Sequence, residues 1–284
     1  MKQSLNDRQK ASLRFIACLI LLGAAYIPMF RWMVERWMHP ESYYGHGFLI
    51  PVVSLYVLWQ RRNQLKEAPI SSEAAGIIIV AAGLFIHVIA ALLRIYFVSG
   101  FSFVIVLYGL VLFFFGRKMM RYLIFPIFFL LAMIPLPLVL IGNLTVKLKL
   151  FAAQCSTVIL NKIGFPSVRD GSIIKMPHSY IAVEAPCSGL RSLIALLTLG
   201  LLFAFSAKVS YLRKGIILLS AIPIAMVSNI GRILMLAIVN DLYGQKVAMG
   251  FFHDFTGFFV FAFAFTGLWI VGRMIESHKE GAHG

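Results

Sequence analysis

The sequence predicts an all-α polytopic membrane protein of about eight transmembrane helices, with an extracytoplasmic loop that carries an amphipathic helix and a small β-hairpin. Three observations lead there. Hydrophobic residues make up 60% of the 284 and charged residues only 13%, whereas a soluble domain averages close to half and a quarter. Apolar runs long enough to cross a bilayer recur along the chain. The charges stand in short clusters between those runs, as orientation signals do, and form no basic stripe with interleaved aromatics. The formal net charge of +15 therefore does not argue for a nucleic-acid partner.

Candidate spans lie at roughly 13–30, 47–60, 74–93, 99–115, 122–142, 187–206, 215–240 and 255–273, the second short and the seventh long. The first follows Lys2, Arg8, Lys10 and Arg14 and has no small-residue cleavage site, so it reads as a retained helix and not as a removed signal peptide. The chain, 1–284, reads as a single integral membrane domain without internal repeats. Orientation follows from the short basic loops: "QRRNQLK", "GRKMMR" and "KVSYLRK" all fall on one side, which the positive-inside rule makes cytoplasmic, as it does both termini. The long outer loop, 143–186, has two parts. "NLTVKLKLFAAQCSTVILNKIGF" spaces its apolar residues as an amphipathic helix on the outer leaflet would. "SVRDGSIIKMPHSYIAVEAP" alternates apolar and polar residues around Asp170-Gly171, a hairpin signal, and leads straight into Cys187.

Charges inside spans are costly and are functional hypotheses by default. Arg191 stands four residues after Cys187, on the same helix face and one turn deeper; the plainer reading is an interfacial arginine snorkelling outward. Arg232, in "VSNIGRILMLAIVN", lies eight residues before Asn240, about 12 Å down the helix, with Asn229 one turn earlier. His253, in "FFHDFTGFF", begins the last span at the same outer boundary. Three helices thus bring Cys187, Arg232 and His253 to one membrane face.

Chemistry gives the trio a purpose. A thiol is a useful nucleophile only as thiolate, which a neighbouring cation or a histidine base favours. His253 can take that proton and return it to a leaving amine. Arg232 can stabilise the oxyanion of a tetrahedral intermediate. Cysteine, histidine and arginine together suit acyl transfer through a thioester. Cys18 and Cys155 read as packing residues; a Cys155–Cys187 disulfide would require both thiols to face an oxidising compartment. The three cysteines and seven histidines show no metal-ligand spacing, so neither a metal nor a cofactor is expected.

"EAPCSGLRS", "SNIGRI" and "FHDFTG", together with "YYGHGFLIP" at 43–51, resemble the exosortase/archaeosortase family of integral membrane transpeptidases, and the resemblance runs from residue 43 to about 257. It implies a thiol protease or transpeptidase of the bacterial inner membrane, facing the periplasm, often in organisms that make exopolysaccharide. It also implies substrate proteins with a C-terminal Pro-Glu-Pro motif, a transmembrane helix and a basic tail. Residue by residue, the family nucleophile matches Cys187, its arginine Arg232 and its third catalytic residue His253, which favours the bacterial branch. Within the same resemblance, Arg191 or Arg232 would receive the substrate's glutamate, Glu184 would orient one of them, and Asn229 would line the site. His46, in "GHG", has two readings of equal standing: lining the site, or capping the second span. The rival from another class is a transporter or exopolysaccharide-export component whose buried arginines bind an anionic ligand; it would need no thiol.

Overall fold

The computed structural model describes residues 2–40, 42–183 and 188–280, with backbone placement alone for 2–7, 249, 251, 253, 254 and 278–280. It is mostly helical, with one small sheet, and divides into two compact units, Met1–Leu136 and Pro137–Gly284.

The first unit holds α1 (Lys2–Ala25), α2 (Ile27–Met38), α3 (Leu49–Gln60), α4 (Arg62–Glu67), α5 (Ala75–Leu92) and α6 (Tyr96–Phe129), followed by a 3-10 turn at Leu130–Met133. The apolar run expected at 13–30 does not stay straight. Pro28, in the first turn of α2, has no N–H for the carbonyl one turn back, and the chain bends by 65° between α1 and α2. Tyr26 sits at this break, fully buried, and its hydroxyl meets Ser102 Oγ at 2.9 Å.

Gly116 breaks α6 at φ +77° and ψ −178°. A Cβ there would lie 2.0 Å from the Ser71 carbonyl oxygen, so glycine is required twice over, by conformation and by space. The two legs, 96–115 and 117–129, fold back on each other. Tyr108 and Phe128 have ring centroids 5.9 Å apart, and Gly100 touches Ile134, a Cβ at 100 coming within 2.9 Å of Ile134 Cγ2. Residues so far apart in a straight helix would be separated by about 30–50 Å. Gly116 is therefore the turn of a helical hairpin, and the basic residues Arg117, Lys118 and Arg121 open its second leg. The fifth expected span, 122–142, ends early: Pro135 and Pro137 take donors out of any helix and hold the residues before them extended, and the helix stops at Met133.

The second unit holds α7 (Leu138–Lys162), strands β1 (Val168–Asp170), β2 (Ile173–Lys175) and β3 (Tyr180–Ala182), then α8 (Leu190–Ser206), α9 (Tyr211–Tyr243), the short α10 (Gln245–Met249) and α11 (Phe251–Glu280). The expected hairpin is present and gains a third strand: β1, β2 and β3 form an antiparallel sheet with Ile173 opposite Ala182 and Val168 opposite Lys175. Ile174, Ile181 and Val183 turn inward and pack with Ala152, Leu160, Ile233 and Leu236, which seats the sheet on α7 and α9. Asn240 Nδ2 donates to the Tyr180 carbonyl at 2.8 Å, and Ser179 Oγ to Asp241 Oδ1 at 3.0 Å.

Eight spans are not what the helices give. Among the described residues five are long and apolar enough to cross a membrane, or six if the bent α1–α2 pair counts as one span. The expected span at 47–60 is α3, of 12 residues, about 18 Å long against a hydrocarbon core of about 30 Å. The helix expected to lie on the outer leaflet is the C-terminal part of α7, whose 25 residues pass the length and composition test for a span.

Candidate active site

α9 organises the second unit, packing antiparallel with α8 on one side and α11 on the other. With 33 residues it is about 50 Å long, some 20 Å more than the hydrocarbon core needs. The sheet, with Arg169, Asp170 and Lys175 exposed, packs on its last turns. Lys175 Nζ lies 2.7 Å from Asp170 Oδ2 and holds that carboxylate below its usual range. Asn229 and Arg232 fall just before the sheet-covered turns.

Gly189 is the N-cap of α8, with φ +79°, a left-handed conformation that glycine adopts without strain. Its missing side chain is filled by α9: a Cβ at 189 would lie 2.9 Å from Asn229 Cγ. Asn229 is 3% exposed and Ser188 likewise 3%. One turn further along α9, Arg232 is half-buried and its guanidinium reaches α11, where a Cβ on Gly257 would lie 3.8 Å from Nη2 and 4.0 Å from Cζ. A larger side chain at 257 would occupy the space that the guanidinium uses. Ser188, Gly189, Asn229 and Ile230 also line a crevice with Leu148 and Phe151 of α7; at about 10 Å³ it has room for one water molecule.

Asn229 and Arg232 are thus joined to the start of α8 and to α11 respectively. Glu184 and Cys187 lie outside the described residues. Their flanks are fixed: Val183 is 2% exposed and donates its N–H to the Ser172 carbonyl at 2.9 Å, and Gly189 is seated on Asn229. His253 is in α11, four residues before Gly257; its side chain is outside the described set. Arg191 is not buried inside a span. The helix begins only at Leu190, so Arg191 is exposed in its first turn. His46 belongs to the first unit, where its carbonyl accepts the Leu49 N–H at 2.9 Å in the turn that opens α3, and its ring stacks with Tyr44 at 6.1 Å. Burial pushes the His46 imidazole below its ordinary value. Cys155 is a free, half-buried thiol; Cys187, the other half of the candidate disulfide, lies outside the described residues. Among the described residues no cluster of three histidine, cysteine or carboxylate side chains could hold a metal ion.

Sequence reasoning passed over Gly189 and Gly257. The first was signalled by its place between a polar loop and an apolar run, where a helix cap belongs; the second becomes visible only through the arginine packed against it.

No curated protein and no solved structure matches this chain. The family model described as transmembrane exosortase matches residues 32–270, which is most of the sequence and includes every element of the site. The chain belongs to the transmembrane exosortase family.

Proposed function

We propose that this protein is a membrane-embedded cysteine transpeptidase that cleaves a C-terminal Pro-Glu-Pro-type sorting signal of exported proteins, in the bacterial inner membrane with its site facing the periplasm. The observation that carries the reading is the pairing of contacts made by α9. Asn229 packs against Gly189, two residues after Cys187, and Arg232 packs against Gly257, four residues after His253. These two contacts, two residues after Cys187 and four residues after His253 in the chain, support the reading. The side of the membrane follows from charge: the site is at the opposite end of α8 and α9 from the basic turn at 208–214, which the positive-inside rule assigns to the cytoplasm.

In this mechanism Cys187 Sγ attacks the scissile carbonyl as its proton passes to His253, and Arg232 stabilises the oxyanion. His253 then protonates the leaving amine, and the N-terminal part of the substrate remains as a thioester. An incoming nucleophile, water or an amine, releases it. Asn229 lines the site, Arg191 or Arg232 receives the substrate's glutamate, and Glu184 orients one of them. The substrate itself would be a protein carrying the motif, a transmembrane helix and a basic tail.

The test is processing of a tagged protein with such a signal in cells carrying Cys187→Ala. Loss of processing with normal accumulation of the variant is the expected result. Normal processing would remove the thiol mechanism and leave the anionic-ligand transporter as the better reading.

A further inference from the structure

The first unit gathers most of its positive charge at one end. Arg8 of α1 donates to the carbonyls of Leu65, Lys66 and Ala68, at 2.6 Å to Leu65 and 3.2 Å to Ala68, which ties α1 to the end of α4. Arg61 Nη1 donates to the Tyr122 carbonyl at 3.3 Å, tying the α3–α4 junction to the second leg of the α6 hairpin. Arg117 pairs with Glu73 at 2.9 Å, and Ser71 N–H meets the Phe115 carbonyl at 3.3 Å, which brings the start of α5 to the hairpin turn. Four stretches distant in sequence therefore meet at one level. The arginines that join them leave Lys10, Arg62, Lys66, Lys118 and Arg121 exposed around the junction, with Glu67 as the exposed carboxylate among the described side chains there.

That level is also marked by aromatics. Trp59 and Tyr56, on the last turn of α3, are 58% and 55% exposed and stack at 6.1 Å. Arg62 lies over the Trp59 ring at 4.5 Å and donates to the Trp59 carbonyl at 3.1 Å. Exposed tryptophan and tyrosine at the end of an apolar helix belong at the headgroup layer. A guanidinium held over the indole has donors left to meet phosphate oxygens at the headgroup layer.

We propose that this end of the first unit binds the phosphate-bearing headgroups of anionic phospholipids. The cations are too many for their carboxylates, are carried on a braced surface, and stand beside an aromatic pair that fixes their depth. A free phosphate shares the chemistry, but only a lipid also fills the apolar surface of α3 beneath the aromatics, where Val52 and Leu55 are exposed. The surface owes nothing to the chemistry at Cys187.

The full chain in neutral detergent is titrated with phosphatidylglycerol, phosphatidylcholine or inorganic phosphate, and its melting temperature is followed. Phosphatidylglycerol should raise the melting temperature saturably, and the other two should not. High salt should shrink the response. Replacing Arg62, Lys66, Lys118 and Arg121 by glutamine should move the titration midpoint upward by about 5-fold per cation removed, whereas Arg31→Gln at the opposite end should leave it in place. Equal shifts with phosphatidylcholine, an equal response to inorganic phosphate, or an unmoved midpoint in the quadruple variant would each overturn the proposal. If that variant fails to fold, the pair Lys66→Gln and Lys118→Gln gives the same reading, and the comparison of the two lipids on the native chain needs no variant.

Discussion

Asn229 fills the space that a side chain at Gly189 would need, with its Cγ 2.9 Å from the position of the missing Cβ. The contact fixes where α8 begins, and α8 begins three residues after Cys187. Gly189→Ala should therefore carry two penalties, a left-handed alanine and a clash with a side chain that is 3% exposed. Together they should cost on the order of 2 kcal/mol and abolish processing. Asn229→Ala in the same chain should restore part of the lost stability, because it removes the Cγ and Nδ2 contacts and leaves the close approach to the 229 Cβ, 3.0 Å, and the strain. A double-mutant cycle on melting temperatures checks this; purely additive effects would show that the two residues do not touch.

The α6 hairpin rests on Gly116. Gly116→Ala meets backbone, the Ser71 carbonyl, at 2.0 Å, and no side-chain rearrangement relieves that. A loss of about 3 kcal/mol or more is expected, read as failed accumulation or early melting. Gly23→Ala, with nothing near its Cβ position, should be neutral or stabilise α1 by about 0.5–1 kcal/mol.

A polar network spans the α1–α2 break. The Tyr26 hydroxyl meets Ser102 Oγ at 2.9 Å, Ser102 donates to the Ser99 carbonyl at 2.7 Å, and Ser99 Oγ meets His87 Nδ1 at 2.8 Å. The His87 ring stacks on Tyr26 with centroids 3.7 Å apart. Tyr26→Phe keeps the stacking and removes one hydrogen bond, so it should cost about 1 kcal/mol in unfolding from detergent. His87→Ala, which removes both, should cost more.

His46 gives a pH dependence. Burial lowers its pKa in the folded chain, so as pH falls below the ordinary value of 6.5 the unfolded chain takes up a proton before the folded one does. Its contribution is complete above that value and is lost as pH falls toward the folded pKa. Melting temperature should therefore fall more steeply between about pH 6.5 and 5 in the native chain than in His46→Gln. Parallel curves would contradict this.

The helical character, the membrane class and the sheet around Asp170-Gly171 were legible because each is written locally, in composition, in period and in turn residues. The number of spans was not. Apolar runs do not state where a helix stops, and here Pro28, Gly116, Pro135 and Pro137 decide it through missing donors and a left-handed backbone. Arg191 was expected on a helix continuous with Cys187; the cap at Gly189 starts that helix later and leaves the arginine exposed. Arg232 was picked out by its cost inside a span, and it is half-buried against α11. The Tyr26–His87 network was equally available to that argument, since tyrosine, histidine and serine inside apolar runs carry the same signal in weaker form.

The central claim is that Cys187 carries the acyl group. The most direct measurement is the mass of the peptide containing Cys187 after a brief reaction with a signal-bearing substrate and an acid quench. A mass increase equal to the N-terminal part of the substrate, released by hydroxylamine as a thioester is, is the expected result. Processing that proceeds with no adduct on that peptide, and that persists in Cys187→Ala, would contradict the account.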